Sequence, residues 1–364
     1  MRLFFDARYI RTDFHDGISR FSHELAHAVA RAAPSTDAEV TFLVHDDAQV
    51  AMLPSGSPYR KIHAPTSVKE PFTALLLNRW HPDVVYTPMQ TMGTAGRRFR
   101  VILTLHDTIY YRHRTPPRDL SWLLRVGWRL FHLSYLPQRL VLNAADVVAT
   151  VSRTSRRQFA DARLTKREVV VIPNAPQRLA ELLPPGSATP GADAPANIVY
   201  MGAFLPYKNV ETVIRAMQWL PGRTLHLLSR ISAVREGELR KLVPDGAVVQ
   251  FHNGVSDELY AQLLADAGVL VSASLDEGYG LPLAEALALG APAVVSDLEI
   301  FREVAGDGAL FVPAMDAGAF AAAVRSLDDA ETRRALTTAG RAHIARFTWD
   351  RSADILLGVV RGLA

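Results

Sequence analysis

The pattern that most constrains this chain is a succession of short, continuously apolar runs separated by longer stretches of helical periodicity. In the first half these runs are LFFD (3–6), TFLV (41–44), VVY (84–86), VILTL (101–105), VVATV (147–151) and VVVI (169–172). The second half repeats the theme with IVYMG (198–202), LHLLS (225–229), VVQF (248–251), VLVSA (269–273) and APAVVS (291–296). Strands that do not alternate with polar residues are buried on both faces, and among helices they predict parallel sheets covered on either side. Between the two sets lies LLPPGSATPGADAPAN (182–197), sixteen residues with four Pro, two Gly and one charge. Neither a helix nor a strand ladder survives that many prolines, so this stretch is read as an interdomain linker. The expected fold is α/β, with two doubly wound Rossmann-like domains and ligand at the carboxyl ends of their strands, in a central cleft.

A length of 364 residues agrees with two domains. The chain has no Cys, which removes disulfides, thiolate-bound zinc, iron–sulfur clusters and thiol nucleophiles together. Asp6 and Arg8 fall where a signal peptide needs its apolar core, and no run of about 18 apolar residues follows. A soluble, unprocessed, cytoplasmic protein is the expectation. The net charge of +3 hides an asymmetry: residues 1–185 carry 25 Lys+Arg against 16 Asp+Glu, and residues 186–364 carry 15 against 21. The excess peaks at nine arginines between 97 and 139, opposed there by Asp107 and Asp119. Such a stretch attracts phosphates or anionic lipid headgroups, which would put the protein peripherally on the inner face of a membrane.

The segment with the most chemistry is Glu277-Gly278-Tyr279-Gly280-Leu281-Pro282-Leu283-Ala284-Glu285, directly after VLVSA and its loop. Gly278 and Gly280 permit a tight turn with exposed N–H groups, and Pro282 suits the first turn of a helix. Unpaired N–H groups and the helix dipole would bind a phosphate or a polyhydroxyl ligand there without a metal. Glu285, one turn inside, can accept from a diol such as a ribose, and Glu277 sits at the strand end. Both glutamates could equally cap and solvate a loop, because their spacing alone is common.

The stretch EGYGLPLAEALALGAPAVVSD resembles the donor-binding motif of family 4 retaining glycosyltransferases of the GT-B fold, and ordered matches continue along most of the chain. Asp16-Gly17-Ile18-Ser19-Arg20 is similar to the family's glycine loop, LTLHD (103–107) to its His-Asp strand end, and TVSRTSRR (150–157) to its Val-Ser segment. VIPNA (171–175) resembles its Pro-Asn-Gly turn, YMGAFLPYKN (200–209) its Gly-Arg and Arg-Lys-Asn segment, and FTWDRSA (347–353) the start of a last helix that crosses back to the first domain. The resemblance implies an acceptor-binding domain at 1–181, the linker at 182–197, a nucleotide-sugar domain at 198–346 and the returning helix at 347–364. It implies that Glu285 holds the ribose, that Glu277 contacts the donor sugar, and that the backbone near Gly278, Tyr279, Gly280 and Leu281 faces sugar or diphosphate. Lys208 would stabilise the leaving diphosphate, His106 would approach the sugar near its 6-hydroxyl, and Gly17 would let its loop touch phosphate or acceptor.

Two features depart from that pattern. Ala203 stands where the family usually has an arginine, and Tyr207 where Arg is frequent. Arg230, directly after LHLLS, is the candidate replacement, because in a 3-2-1-4-5-6 sheet its strand neighbours that of Ala203; a plain surface arginine is the competing reading. His23-Glu24-Leu25-Ala26-His27 matches the H-E-x-x-H pattern of zinc hydrolases, yet Phe21, Leu25, Ala28 and Val29 make an ordinary core stripe through it. Residues 120–140 mix Trp122, Trp128, Phe131 and Tyr135 with Arg125, Arg129 and Arg139, which suits either a membrane-interface helix or a buried core. Nucleic acid is not expected as a partner, since no recognition module accompanies these residues.

The sequence is therefore read as a metal-independent hexosyltransferase without a cofactor, acting on a nucleotide sugar and a glycan or lipid-linked acceptor. Family resemblance supplies retention, and FFDARYI with GISRF resembles bacterial mannosyltransferases of surface polysaccharides, which favours GDP-mannose and leaves UDP-sugars open. Alternatives are a catalytically weak GT-B partner subunit, motivated by Ala203, and a zinc hydrolase through His23, Glu24 and His27.

Overall fold

The computed structural model describes residues 1–13, 17–116, 122–187 and 189–364. The chain forms two compact units, Met1–Asn174 with Phe347–Ala364, and Ala175–Arg346.

In the first unit seven strands form one sheet: β1 (Arg2–Asp6), β2 (Glu39–Val44), β3 (Tyr59–Lys61), β4 (Val84–Thr87), β5 (Arg100–Thr104), β6 (Val147–Thr150) and β7 (Glu168–Val171). Their order is β3-β2-β1-β4-β5-β6-β7 and each pairing is parallel. The central strands are the apolar runs of the sequence, and β4 and β6 are buried at every residue. Tyr59-Arg60-Lys61 gave no strand signal because β3 is an exposed edge with no face to bury. Helix Gly17–Ala32 lays Phe21, Leu25, Ala28 and Val29 into the core, as its stripe requires. Helix Trp349–Leu363 packs on it: Trp349 meets Phe21 edge-on at 5.8 Å, Asp350 pairs with Arg31 at 2.7 Å, and Ser352 Oγ donates to Pro173 O at 2.6 Å. The last segment thus belongs to the first unit.

The second unit holds β8 (Asn197–Tyr200), β9 (Thr224–Leu227), β10 (Val248–Phe251), β11 (Gly268–Ser272), β12 (Ala293–Ser296) and β13 (Leu310–Val312). Their order is β10-β9-β8-β11-β12-β13, again parallel, which is the 3-2-1-4-5-6 arrangement. Only β13, a three-residue edge strand, escaped the sequence reading.

The change of unit falls between Asn174 and Ala175, earlier than the 182–197 linker read from composition. The proline-rich stretch lies on the second unit instead. Arg333 donates from Nε to Gly191 O (3.1 Å) and from Nη2 to Ala192 O (2.7 Å), supplying side-chain partners to a backbone that cannot form a ladder.

Helix Trp122–Phe131 contributes no buried residue, and Trp122, Leu123, Leu124, Val126 and Leu130 are all exposed. The core alternative for 120–140 therefore fails over this helix. The basic stretch around it is divided. Arg97 and Arg100 both pair with Asp146, Arg139 donates to Ala162 O and Arg163 O, and Arg118, with Asp119, Leu120 and Ser121, lies outside the described residues. Among the described residues no helix is long and apolar enough to cross a membrane.

Candidate functional site

In the second unit the chain leaves β8 and β11, neighbours in the sheet, through two loops that meet. Leu275 N donates to Tyr207 O at 2.7 Å. Asn209, in the left-handed region at φ 50°, is buried and donates through Nδ2 to Ala273 O (3.0 Å) and Ala314 O (2.8 Å), while Thr212 Oγ1 donates to its Oδ1 (2.9 Å). A short amide side chain that tolerates positive φ locks the turn and fixes the residue before it.

That residue is Lys208. Its Nζ donates to Glu277 Oε1 at 2.6 Å, and both side chains are largely shielded, 17% and 12% exposed. Ser274 Oγ donates to the same oxygen at 2.9 Å. Lys208 Nζ also lies 5.4 Å from the Tyr207 ring centroid, so the tyrosine that replaces a frequent arginine serves as a cation–π surface. Desolvation strengthens the pair electrostatically, and its two hydrogen bonds hold Glu277 in one place.

The loop then turns into helix Leu281–Leu289. Gly280 occupies the cap position at φ 93°, where a Cβ would approach Phe301 Cε1 to 2.7 Å, so glycine is required on both grounds. Among the described residues no side chain caps this end, and first-turn N–H groups with a helix dipole have the chemistry to hold an anion. Tyr279 is buried and its phenol is pushed far up by that burial, with Glu303 adding to the effect. Glu285 lies in the same helix and is 4% exposed.

Arg230 follows β9, and the β8–β9 adjacency predicted for it holds; Gly202 N donates to Ser229 Oγ at 3.1 Å across the two strand ends. The arginine stem, however, leans the other way. Its Cγ, Cδ and Nε lie against Gly254 in the loop after β10, on the side of β9 remote from Ala203. Nearer to Ala203, Arg235 donates to Phe204 O (3.2 Å) and pairs with Glu211 and Glu238.

The remaining two site residues are in the first unit. His106 follows β5, and its Nε2 sits 2.9 Å from Pro88 O, so that nitrogen carries the proton. Its ring is edge-on to Phe21 at 5.1 Å, the phenylalanine that also supports Trp349. Gly17 opens helix Gly17–Ala32, while Asp16 of the same motif lies outside the described residues. Sequence reasoning missed Asn209 and Ser274. The first could have been suspected from Asn directly before a helical pattern; the serine carries no signal of its own.

The H-E-x-x-H pair does not look outward as ligands. His27 Nε2 is 3.1 Å from Met52 O and must donate to it, and His23 Nδ1 is 3.2 Å from Glu24 Oε1. Among the described residues no three His, Asp or Glu side chains gather to hold a metal ion.

Two parallel Rossmann-like sheets, with a glycine turn and a helix N-terminus at the carboxyl end of β11, define the GT-B glycosyltransferase class. Residues 189–343 match the family Glycosyl transferases group 1, and residues 15–175 match Glycosyltransferase Family 4. The chain is 30% identical to O-antigen chain mannosyltransferase B of Escherichia coli over 267 residues, covering 69% of this chain and 67% of that protein. It is 35% identical to the MMP alpha-(1->4)-mannosyltransferase of Mycolicibacterium hassiacum, covering 74% and 68%. In structure it is similar to sucrose-phosphate synthase from Thermosynechococcus elongatus, with a TM-score of 0.72 at 20% identity over 100% of this chain and 98% of that one. The chain belongs to glycosyltransferase family 4 and is a nucleotide-sugar-dependent glycosyltransferase.

Proposed function

We propose that the chain transfers a hexose from a nucleotide diphosphate sugar to a hydroxyl of a glycan or lipid-linked acceptor, with retention at the anomeric carbon and without a metal. Mannose from GDP-mannose is the preferred donor, a reading supported by the two mannosyltransferase relatives. The observation that carries it is the contact between Lys208 and Glu277, residues 69 apart in sequence, beside an uncapped helix N-terminus. In this reading the bond from the anomeric carbon to the diphosphate oxygen breaks as the acceptor oxygen attacks the same face. The acceptor's proton passes to the departing phosphate. Lys208 and the N–H groups after Gly280 stabilise that charge, Glu277 orients the sugar hydroxyls and Glu285 takes the ribose diol. Roles for His106 and Gly17 at the sugar and phosphate rest on the family resemblance alone, and Arg230 is retained as a diphosphate contact on its strand position.

The exposed helix Trp122–Phe131 supports a membrane-proximal acceptor. Arg125 and Arg129 share one face of it and have no hydrogen-bond or ion-pair partner among the described residues, beside the apolar Leu123, Val126 and Leu130.

A panel of nucleotide sugars tests the donor. A bound donor at 100 times its dissociation constant adds about 2.7 kcal/mol of stability, read as a rise in melting temperature. GDP-mannose should stabilise most, and the anomeric NMR signal of product should keep the donor's configuration. Preference for a UDP-sugar would overturn the donor, and inversion would overturn the mechanism.

A further inference from the structure

The first unit contains an arginine-lined cavity that the proposed chemistry does not use. It lies between helix Arg153–Asp161 and edge strand β7 and has a volume of about 530 Å³. Arg153, Arg156 and Arg157 stand at i, i+3 and i+4 on one helix face, and Arg167 comes from the approach to β7. Phe159 and Val169 give the cavity an apolar wall.

None of the residues lining this cavity is acidic. Arg156 and Arg167 bring two guanidinium groups to one hollow beside Arg153 and Arg157, and a bound anion can bridge them. The Arg167 guanidinium is aimed by the carbonyl of Asn143, which accepts from Nε (3.1 Å) and Nη2 (2.9 Å). Thr165 holds the turn, accepting from Arg167 N at 3.0 Å and lying 3.3 Å from Asn143 Oδ1. Arg156 is exposed, with no side-chain partner among the described residues. One oriented arginine and others on a helix face make a concave surface of a single sign, and planar guanidinium forks match phosphate oxygens two at a time. The volume exceeds what one phosphate fills and leaves room for a diphosphate or for a phosphate with carbon attached against Phe159 and Val169.

We propose that this groove binds a phosphate or diphosphate group, at a site separate from the donor loop of the second unit. Its source is either an anionic lipid headgroup or a soluble phosphate compound. The neighbourhood admits the first: Arg112 reaches Gln158 of the groove helix, and Tyr110, two residues earlier, packs edge-on against Trp128 of the exposed helix at 5.2 Å. The assignment stands on the cavity itself and does not depend on which donor the enzyme uses.

Hydrogen–deuterium exchange on the full chain at low salt tests it, with sodium pyrophosphate as the probe. Pyrophosphate should protect backbone amides between 153 and 169, and the protection should weaken as salt rises. Arg156→Glu should weaken that binding by about tenfold or more, the loss expected for a charged hydrogen bond, whereas Arg156→Lys should keep most of it. Stabilisation by GDP should be the same in all three proteins, which shows that the variants are folded and that the donor loop is not what changed. Vesicles of phosphatidylglycerol, compared with phosphatidylcholine, separate the sources. Protection of 153–169 by the anionic vesicles identifies a headgroup; protection by pyrophosphate alone identifies a soluble ligand. No protection of this segment by millimolar pyrophosphate, or equal protection in Arg156→Glu, would overturn the site.

Discussion

Lys208 Nζ and Glu277 Oε1 are 2.6 Å apart, and the lysine spends one of its three N–H groups on that carboxylate. Among the described residues its other neighbour is the Tyr207 ring, so two N–H groups remain for phosphate oxygens. The pair links cation and carboxylate from two adjacent strand ends, and Ser274 keeps Glu277 hydrogen-bonded if the lysine is removed. Lys208→Ala should therefore fold and lose turnover by roughly 100- to 1000-fold, the cost of one charge-stabilising group. Steady-state rates with a matched thermal melt check this. A folded variant with near-normal turnover would remove Lys208 from the leaving-group role.

Glu285 is almost wholly buried in helix Leu281–Leu289. If its carboxylate accepts from the ribose diol, Glu285→Gln should weaken binding of the free nucleotide by about 1.5 to 3 kcal/mol, since the isosteric amide loses the charge. Calorimetry with GDP alone isolates this contact from the sugar. Unchanged affinity would assign the glutamate to packing.

Stability should fall as the solution is acidified through the histidine range. His226 Nδ1 lies 3.0 Å from His252 Nε2, and His226 Nε2 lies 3.1 Å from Asn197 Oδ1, whose amide nitrogen donates to Asp266 O. With both rings neutral, that chain orders the protons: His252 donates to His226, which donates to Asn197. Burial lowers the pKa of each ring, and for His226 the neighbouring His252 lowers it further. The unfolded chain thus binds more protons below its reference value of about 6.5, so stability is full above that pH and is lost as pH falls towards the depressed folded values. His27, His45 and His132 shift in the same direction. The test is a difference: His252→Gln keeps a donor for His226 and should flatten the drop in melting temperature between neutral and mildly acidic pH. An identical pH profile in that variant would sink the argument.

Most of the scaffold was legible because buried parallel strands must be apolar throughout, and eleven runs of that kind coincide with strands. The two strands that were not, β3 and β13, are three-residue edges, where little burial is needed and little pattern results. The 182–197 stretch illustrates a related point. Proline content reports that a segment cannot pair its own backbone, and Arg333 pairs it from elsewhere. At the site, Gly280 and the helix start could be read from the motif, because positive φ and an uncapped N-terminus are local properties. The Lys208–Glu277 bond and the lean of Arg230 towards Gly254 depend on contacts distant in sequence, which no local spacing encodes.

The exposure of helix Trp122–Phe131 makes the proposed membrane-proximal acceptor testable by itself. Each Lys or Arg near an anionic bilayer contributes about 1 kcal/mol, a gain that fades as salt shortens the Debye length. Of the nine arginines between 97 and 139, Arg97, Arg100, Arg112, Arg114 and Arg139 hold protein partners and Arg118 lies outside the described residues, so the attraction falls mainly to Arg125 and Arg129 on the helix. Flotation with phosphatidylglycerol vesicles should recover the protein at low salt and lose it at high salt. The paired change Arg125→Glu and Arg129→Glu should abolish recovery without altering the melting temperature, since neither side chain contributes to the core. No flotation of the unaltered protein at low salt would point to a soluble acceptor and leave the apolar face of this helix to another partner.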